Sequence, residues 1–343
     1  MKVALFDFNL PKNLIAEKSV NPRDSSRMLL VNGNSISDSR INNMSDLFCA
    51  GDLFVINNTR VLSSRLSGKV KNYSVGVTFL NEVKKGIWRS MVKPSKRLNI
   101  GDNFLFENYK MKVVKKNMGG EVLFDINMDK AEFIKLLLKK GEMPLPPYLK
   151  NNKMRNPFED YQTIFAKEYG AVACPTAGLH FTSNLIKTLA GKDINVVEIT
   201  LHVGSGTFLP LKGENTKNHR MHEEFFEISK KTASAINYTK KNGCKIIAVG
   251  TTVLRALESS VDVNGNIKSK KGFTNIFITP DENILTTDYL LTNFHLPKST
   301  LFILVCAYAG IKIMHNAYLH AIRNKYRFYS LGDACLIKKN DSK

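Results

Sequence analysis

The scarcity of cysteine narrows the chemistry of this sequence at once. Five cysteines in 343 residues (Cys49, Cys174, Cys244, Cys306 and Cys335) stand far apart, odd in number, with no C-x-x-C pair. That argues against a disulfide framework and against a zinc ribbon. The seven histidines contain no H-E-x-x-H. A metal set drawn from His180, His202, His222 and His295 is possible in any fold, but no spacing asks for one, and no metal is expected. Long apolar runs are missing too. A membrane helix needs roughly 20 such residues, and the best candidate, Leu301 to Ala309, stops at Gly310. The N-terminal MKVALFDFNLPK meets Asp7 too early for a secretory signal. These absences lead to the expectation of a cytoplasmic protein with no membrane contact.

Acidic residues are also short, 30 against 50 basic ones, which leaves a formal charge of +20. Such a field attracts polyanions, and nucleic acid is the commonest one in a cytoplasm. The excess is mostly lysine, 38 against 12 arginines. Biased nucleotide composition would leave the same mark on a solvated surface, so charge alone is only a pointer.

What is present is organised in two textures. The length suits two domains. Between about Arg65 and Pro144 run short alternating segments: SVGVTFLNEV, GIWRSMVK, NFLFEN, KMKVVKK and EVLFDI. Turn-rich clusters separate them, which predicts a small antiparallel β-barrel or sandwich. A helix over Lys130 to Lys140 follows, with Asp129 as its cap and Gly141 as its stop. MPLPPYL then reads as an extended linker, because each proline biases its predecessor away from helix. From Tyr169 onward strands and helices alternate: GAVAC, a helix capped by Thr182, INVVEITLHV, FFEI, a helix capped by Ser229, CKIIAVG, TTVLRALESS, TNIFI, DYLLTNF, and a helix capped by Ser299 or Thr300. This is an α/β pattern, with a mixed sheet and flanking helices expected. GDLFVINNTRVL near the N-terminus contains another buried strand. The expected division is an α/β catalytic domain of residues 1–65 and 145–343, with a barrel domain of 66–144 inserted into it.

Several polar insertions interrupt the apolar pattern. ACPTAGLHFT places Pro175, Thr176, Gly178 and His180 in a stretch that a plain core segment would fill otherwise. VGSGTFLPL contains Gly204, Gly206 and Thr207. It fails the dinucleotide fingerprint, because Leu209 holds the third glycine position and a proline follows. AVGTTVLRALESS ends a strand at Gly250 and opens a helix at Thr251 and Thr252. The free N–H groups there suit a carboxylate or phosphate. Arg255 and Glu258 share one face of that helix. LLTNFHLPKST puts Asn293 and His295 at a strand end, where open α/β sheets hold ligands. NNTRVL offers Asn57, Asn58, Thr59 and Arg60 for a planar or anionic ligand. RMHEEF adds His222 and Glu223, and TLHV adds His202. Each has a bland alternative: a tight turn, a capped helix with an ion pair, a satisfied core histidine. Their recurrence at strand ends favours a polar site in the α/β domain.

Taken together, these segments resemble the S-adenosylmethionine:tRNA ribosyltransferase-isomerase family of queuosine biosynthesis. The resemblance runs nearly the whole chain, through FDFNLP, RDSSRMLLV, GDLFVINNTRVLSSRLSG, EMPLPPYL, YQTIFAKEYGAVACPTAGLHF, TLHVGSGTF, MHEEFFEI, IIAVGTTVLRALES, LLTNFHLPKSTLFILVCAYAG and YRFYSLGDACLI. It implies an α/β domain carrying an inserted barrel. It also implies transfer and isomerisation of the ribosyl part of S-adenosylmethionine onto 7-aminomethyl-7-deazaguanine in the wobble position, giving epoxyqueuosine-tRNA with loss of adenine and methionine. S-adenosylmethionine would be consumed as a co-substrate, with no cofactor or metal. The implied partner is a tRNA with a GUN-type anticodon, and a monomeric enzyme is expected. Such chemistry asks for a base and an acid, which makes His180, His202, His222 and His295 the candidates, with Glu223 and Glu258 as alternative bases. Nucleoside and methionine are expected near PTAGLHF, HVGSGTF and GTTVLR. Arg255 or the helix N-terminus would meet the methionine carboxylate, and Asp333 the ammonium or ribose hydroxyls. Small departures from the family pattern fall at Cys174, Ser205 and Val253, and a larger one at TPDENILTTDY. Two competing readings remain at this stage: an RNA methyltransferase, for which the glycine-rich turn is wanting, and a non-catalytic RNA-binding protein.

Overall fold

The computed structural model of the chain describes residues 1–149, 156–204, 211 and 213–340. In chain order its strands are β1 (Arg27–Asn32), β2 (Ser35–Arg40), β3 (Leu53–Asn57), β4 (Thr59–Val61), β5 (Arg65–Val70), β6 (Tyr73–Lys84), β7 (Ile87–Lys93), β8 (Asn103–Phe106), β9 (Tyr109–Lys116), β10 (Glu121–Asp125), β11 (Glu168–Ala171), β12 (Asn195–Leu201), β13 (Glu224–Ile228), β14 (Ile246–Val249), β15 (Lys270–Thr274), β16 (Tyr289–Asn293) and β17 (Ala334–Lys338). The helices are α1 (Lys130–Lys140), α2 (Pro157–Asp160), α3 (Ser183–Gly191), α4 (Lys230–Lys241), α5 (Thr251–Glu258), α6 (Thr300–Ala309) and α7 (Ile311–Arg323).

Nine strands form one mixed sheet in the order β15-β13-β12-β3-β14-β16-β17-β1-β2. Its central strands are covered on both faces. In β3, Leu53 and Val55 enter one core while Phe54 and Ile56 enter the other. That is why LFVI is a continuous apolar run with no polar alternation. Strands β12, β3, β14 and β16 run parallel, so their carboxyl ends share one edge. Strands β13 and β17 run antiparallel to their neighbours β12 and β16 and therefore begin at that same edge. The topology alone collects the ends of β3, β12, β14 and β16 and the starts of β13 and β17.

The six strands β5 to β10 close into a barrel, in the order β10-β7-β6-β5-β8-β9. Alternation makes it: in β9, Met111 and Val113 point inward, and Lys110 and Lys112 face solvent. The barrel has its own core. Helix α1 plugs it, capped by the Asp129 side chain on the Glu132 N–H. The Phe133 ring of α1 lies 4.8 Å from that of Phe79 and 4.9 Å from that of Trp88.

The side-chain caps of α3 and α4 are Thr182 and Ser229, as read from the sequence, and of the two residues offered for α6 Ser299 is the cap. Two expectations shift. The strand placed at TNIFI lies four residues earlier, at KKGFT, paired with β13. MPLPPYL does not stay extended but ends in a short 3-10 turn at Pro147–Leu149. No single described helix is long and apolar enough to cross a membrane. Helices α6 and α7 together have the length, but they meet at a bend of 115°, and every residue of α6 from Phe302 to Ala309 is buried.

Candidate functional site

At the shared strand edge the polar insertions come together in two places. A small cavity of about 60 Å³ is lined by Pro175 and Thr176 from the loop after β11, by Gly250, Thr251 and Thr252 at the start of α5, and by Asn293 and His295 after β16. Gly250 has φ 97°, a left-handed conformation that glycine adopts without strain. This turns the chain from β14 into α5. The Thr176 hydroxyl donates to Asn293 Oδ1 at 2.9 Å, and Asn293 Nδ2 meets His180 Nε2 at 3.2 Å. His295 Nε2 contacts the Thr292 hydroxyl at 3.0 Å. Both histidines are buried. Burial lowers His180 to about 4, against the opposing pull of the Asp333 charge, and lowers His295 to about 3. Both are therefore neutral near pH 7; His295 lines the cavity, and His180 lies behind the wall against Asn293. The cavity has room for a few waters, far less than the several hundred Å³ of a small-molecule site.

The second cavity is of that size, about 1030 Å³, and lies between the barrel and the sheet. The barrel side contributes Trp88, Arg89 and Lys130 among others, and the sheet side His202, His222, Glu223, Glu224 and Phe225. Asn58 lies on this wall, its amide bridging Glu198 at 3.2 Å and the Thr200 hydroxyl at 2.7 Å.

His202, directly after β12, is held from three sides. Its Nδ1 is 2.8 Å from the Thr59 hydroxyl, its ring stacks on Phe225 at 5.4 Å and 22°, and its other face rests on Gly170. A Cβ at Gly170 would fall 2.6 Å from the imidazole, so only glycine fits there. The Thr59 hydroxyl also reaches the Glu168 carbonyl at 3.4 Å, across the β4–β11 pairing. We assign the hydroxyl proton to that carbonyl and Nδ1–H to the hydroxyl, a choice of tautomer that leaves the Nε2 lone pair free. Burial first, and then the Lys130 charge, lower His202 to about 4, with the Glu227 carboxylate working in the other direction.

Other sequence candidates serve different neighbours. Asn57 knots β3 to β12: its Oδ1 accepts from the Thr59 and Leu201 N–H groups, and its Nδ2 donates to the Leu201 carbonyl at 2.9 Å. Arg60 is exposed, with its guanidinium 4.8 Å over the Tyr169 ring. Gly178 is buried beneath Thr163 and lines neither cavity. Arg255 points its Nη1 at Glu224 and its Nε at the Ile276 carbonyl, and its Nη2 is buried with no partner among the described residues. Glu258 accepts from the Leu285 and Thr286 N–H groups and from the Thr286 hydroxyl, and burial raises its pKa. Asp333 accepts from the Arg27 and Arg327 side chains and from both backbone N–H groups. Arg255, Glu258 and Asp333 line neither cavity; each is occupied holding chain segments together. Gly206 and Thr207 lie outside the described residues.

Glu224 is the polar residue that sequence reasoning missed. It is 5% exposed, accepts the Gly204 N–H at 2.8 Å through Oε1, and pairs with Arg255 through Oε2. Its neighbours His222 and Glu223 are exposed on the cavity lip. The available signal was strand parity: in EFFEI, Glu224 shares alternation with the buried Phe226 and Ile228. Among the described residues, no cluster of histidine, cysteine or carboxylate side chains is arranged to hold a metal.

Comparison with known proteins bears on this geometry. A family profile described as queuosine biosynthesis protein matches residues 3–337. An S-adenosylmethionine:tRNA ribosyltransferase-isomerase from Beijerinckia indica is 44% identical over 354 residues, covering 98% of this chain and 96% of its own. That from Rhodospirillum rubrum is 45% identical over 338 residues, covering 98% of each. Among solved structures, an S-adenosylmethionine tRNA ribosyltransferase from Thermotoga maritima matches with a TM-score of 0.56 and 30% identity, over 97% of this chain and 99% of that one.

Proposed function

Because this chain belongs to the queuosine biosynthesis family, we propose that its S-adenosylmethionine:tRNA ribosyltransferase-isomerase reaction runs in the large cavity between barrel and sheet, with His202 as the general base. The substrates are S-adenosylmethionine and tRNA. The finer reading is that the ribosyl moiety is transferred to 7-aminomethyl-7-deazaguanine at the wobble position of tRNAs with GUN-type anticodons, with adenine and methionine released. The body of residues 1–65 and 145–343 supplies the chemistry, and the barrel of residues 66–144 supplies the facing wall.

The observation that carries this reading is the fixed imidazole of His202 on the wall of a cavity of about 1030 Å³. The sulfonium acidifies the adjacent C5′–H and later leaves as neutral methionine, so the step needs a positioned base and no metal. A base must be unprotonated when substrate arrives, and burial keeps His202 in that form. Once the proton has moved to Nε2, burial and the Lys130 charge press it onward and the Glu227 carboxylate offsets part of that pressure. Departing adenine needs a proton in return, and His222 and Glu223, exposed on the lip, are the groups we assign to it among the titratable side chains of the lining. Gly204, fixed by Glu224, borders the same space. The enzyme is read as a cytoplasmic monomer, for which light scattering should return 38.6 kDa.

The test is an incubation of purified protein with S-adenosylmethionine and tRNA carrying 7-aminomethyl-7-deazaguanine, following adenine and digested nucleosides by mass spectrometry. Adenine with a nucleoside of epoxyqueuosine mass, unaffected by a chelator, supports the reading. Methylated tRNA with S-adenosylhomocysteine would overturn it. The base assignment is tested by His202→Gln, which should lower kcat by roughly 10² or more while leaving substrate affinities near wild type. A His202→Gln enzyme with full turnover sinks that assignment.

A further inference from the structure

We propose that Phe273, at the mouth of the large cavity, is a stacking platform for one unpaired nucleobase of the tRNA, separate from the place where S-adenosylmethionine reacts. The inference rests on the reading of tRNA as substrate and adds where a second base of its loop is held. Phe273 is 60% exposed although it sits in a sheet strand, the edge strand β15. Its register partner is Phe225, with ring centroids 5.8 Å apart and edge-on at 77°. Phe225 in turn stacks on His202. A continuous aromatic series therefore runs from the proposed base to the cavity mouth, ending in a ring with an open face.

Charge accompanies it. Two residues away along β15, on the same face, Lys271 places its ammonium 5.6 Å over the Phe225 ring and 2.9 Å from Glu227. Tyr169, on the same cavity, is 37% exposed beneath the Arg60 guanidinium. Exposed aromatic faces interleaved with cations are what a single-stranded nucleic acid meets on its binding proteins: a ring for the base, an ammonium for the phosphate. A duplex stem would offer no free base face to Phe273. The bases of a loop, one of which must enter the cavity to react, do.

The adenine of S-adenosylmethionine is the other source of a stacking ring, and the experiment separates the two. Phe273→Ala and Phe273→Trp are made in the full chain, where an exposed edge position leaves the fold intact. Binding of an anticodon stem-loop carrying 2-aminopurine in the loop is followed by fluorescence, and S-adenosylmethionine binding by calorimetry. The expected result is quenching of 2-aminopurine by wild type and Phe273→Trp. Phe273→Ala should lose the quenching and bind RNA about tenfold more weakly, with unchanged affinity for S-adenosylmethionine. Wild-type RNA affinity and quenching in Phe273→Ala would overturn the proposal. So would a loss confined to S-adenosylmethionine, which would assign the wall to adenine. Binding is read without turnover, so a wild type that binds RNA and releases no adenine refutes the reaction reading and not this one.

Discussion

The Thr59 hydroxyl decides which nitrogen of His202 is free, and that makes it a positioning residue one bond away from the proposed chemistry. Thr59→Val keeps the shape and removes the acceptor. The imidazole then loses its preference between tautomers, and Nδ1–H is left without its partner. We expect kcat to fall about tenfold, the equivalent of one hydrogen bond, with KM for tRNA unchanged. An unaltered kcat would mean that the Phe225 stack and Gly170 suffice to orient the ring. His180 and His295 lead to a different prediction, about stability. Unfolded, each takes up a proton near pH 6.5. Folded, burial delays that uptake to about 4 for His180 and about 3 for His295. Between those values the unfolded chain binds more protons, so this stability is fully present above about pH 6.5 and is lost as pH falls toward 4. Each ring contributes a slope of at most about 1.4 kcal/mol per pH unit. Thermal melts between pH 7 and 4.5 should show the decline, and His295→Gln should make it shallower even if it lowers Tm at pH 7. An equally steep decline in that variant would remove His295 from the account.

Helix α5 and strand β13 are joined by the Glu224–Arg255 pair, and at this scale the pair is an internal strut. It ties α5, which opens at the small cavity, to Gly204, which borders the large one. Removing one partner strands a buried charge, which costs about 3–5 kcal/mol. Arg255→Met and Glu224→Gln should each destabilise by that order in denaturant titrations. The double variant should lose clearly less than their sum, because neither charge is left alone. Additive losses would show that the two side chains act separately. The pair also shows how far the sequence could be read. Helix caps at Asp129, Thr182, Ser229 and Ser299 were legible because a cap is made within three residues. Strand ends were legible as places where glycine, asparagine and histidine interrupt apolar runs. Glu224 was not singled out beside Glu223, because one step along a strand exchanges its faces. That parity is fixed by a bond from the His202 N–H to the Phe225 carbonyl, across 23 positions. Strand β15 was misplaced for a related reason. Ile276 and Ile278 look like strand residues because they pack on the core, whereas KKGFT pairs with β13 despite two lysines. The large cavity, walled by barrel and sheet segments that are separate in the chain, left no local mark at all.

At the scale of the whole molecule, the net charge of +20 becomes a statement about how tRNA is held. Residues 66–144, which contain the barrel strands apart from Arg65, and α1, carry sixteen lysines and arginines against eight acidic residues, so this part of the chain is basic as a whole, while on its cavity wall Arg89 and Lys130 stand against Glu82 and Glu121. Lys130 on that side, and Lys167, Lys231 and Lys271 on the other, line the cavity, and all four are exposed. Lys167 and Lys271 are paired with Glu198 and Glu227, so Lys130 and Lys231 are the ammonium groups an RNA loop entering between the walls is expected to meet. Each phosphate neutralised there releases counterions, and log K should fall against log salt with a slope of about 0.7 to 0.9 per contact. Replacing Lys130 and Lys231 together by glutamine should reduce that slope by somewhat under two and weaken tRNA binding at low salt. Affinity for S-adenosylmethionine, itself carrying a positive sulfonium, should not fall. The slope is the more telling quantity, because a misfolded variant binds poorly at every salt concentration, whereas a lost phosphate contact changes only the dependence. Wild-type affinity that is flat with salt would return the lysine excess to surface composition, and the aromatic mouth and the His202 wall would have to hold tRNA without it.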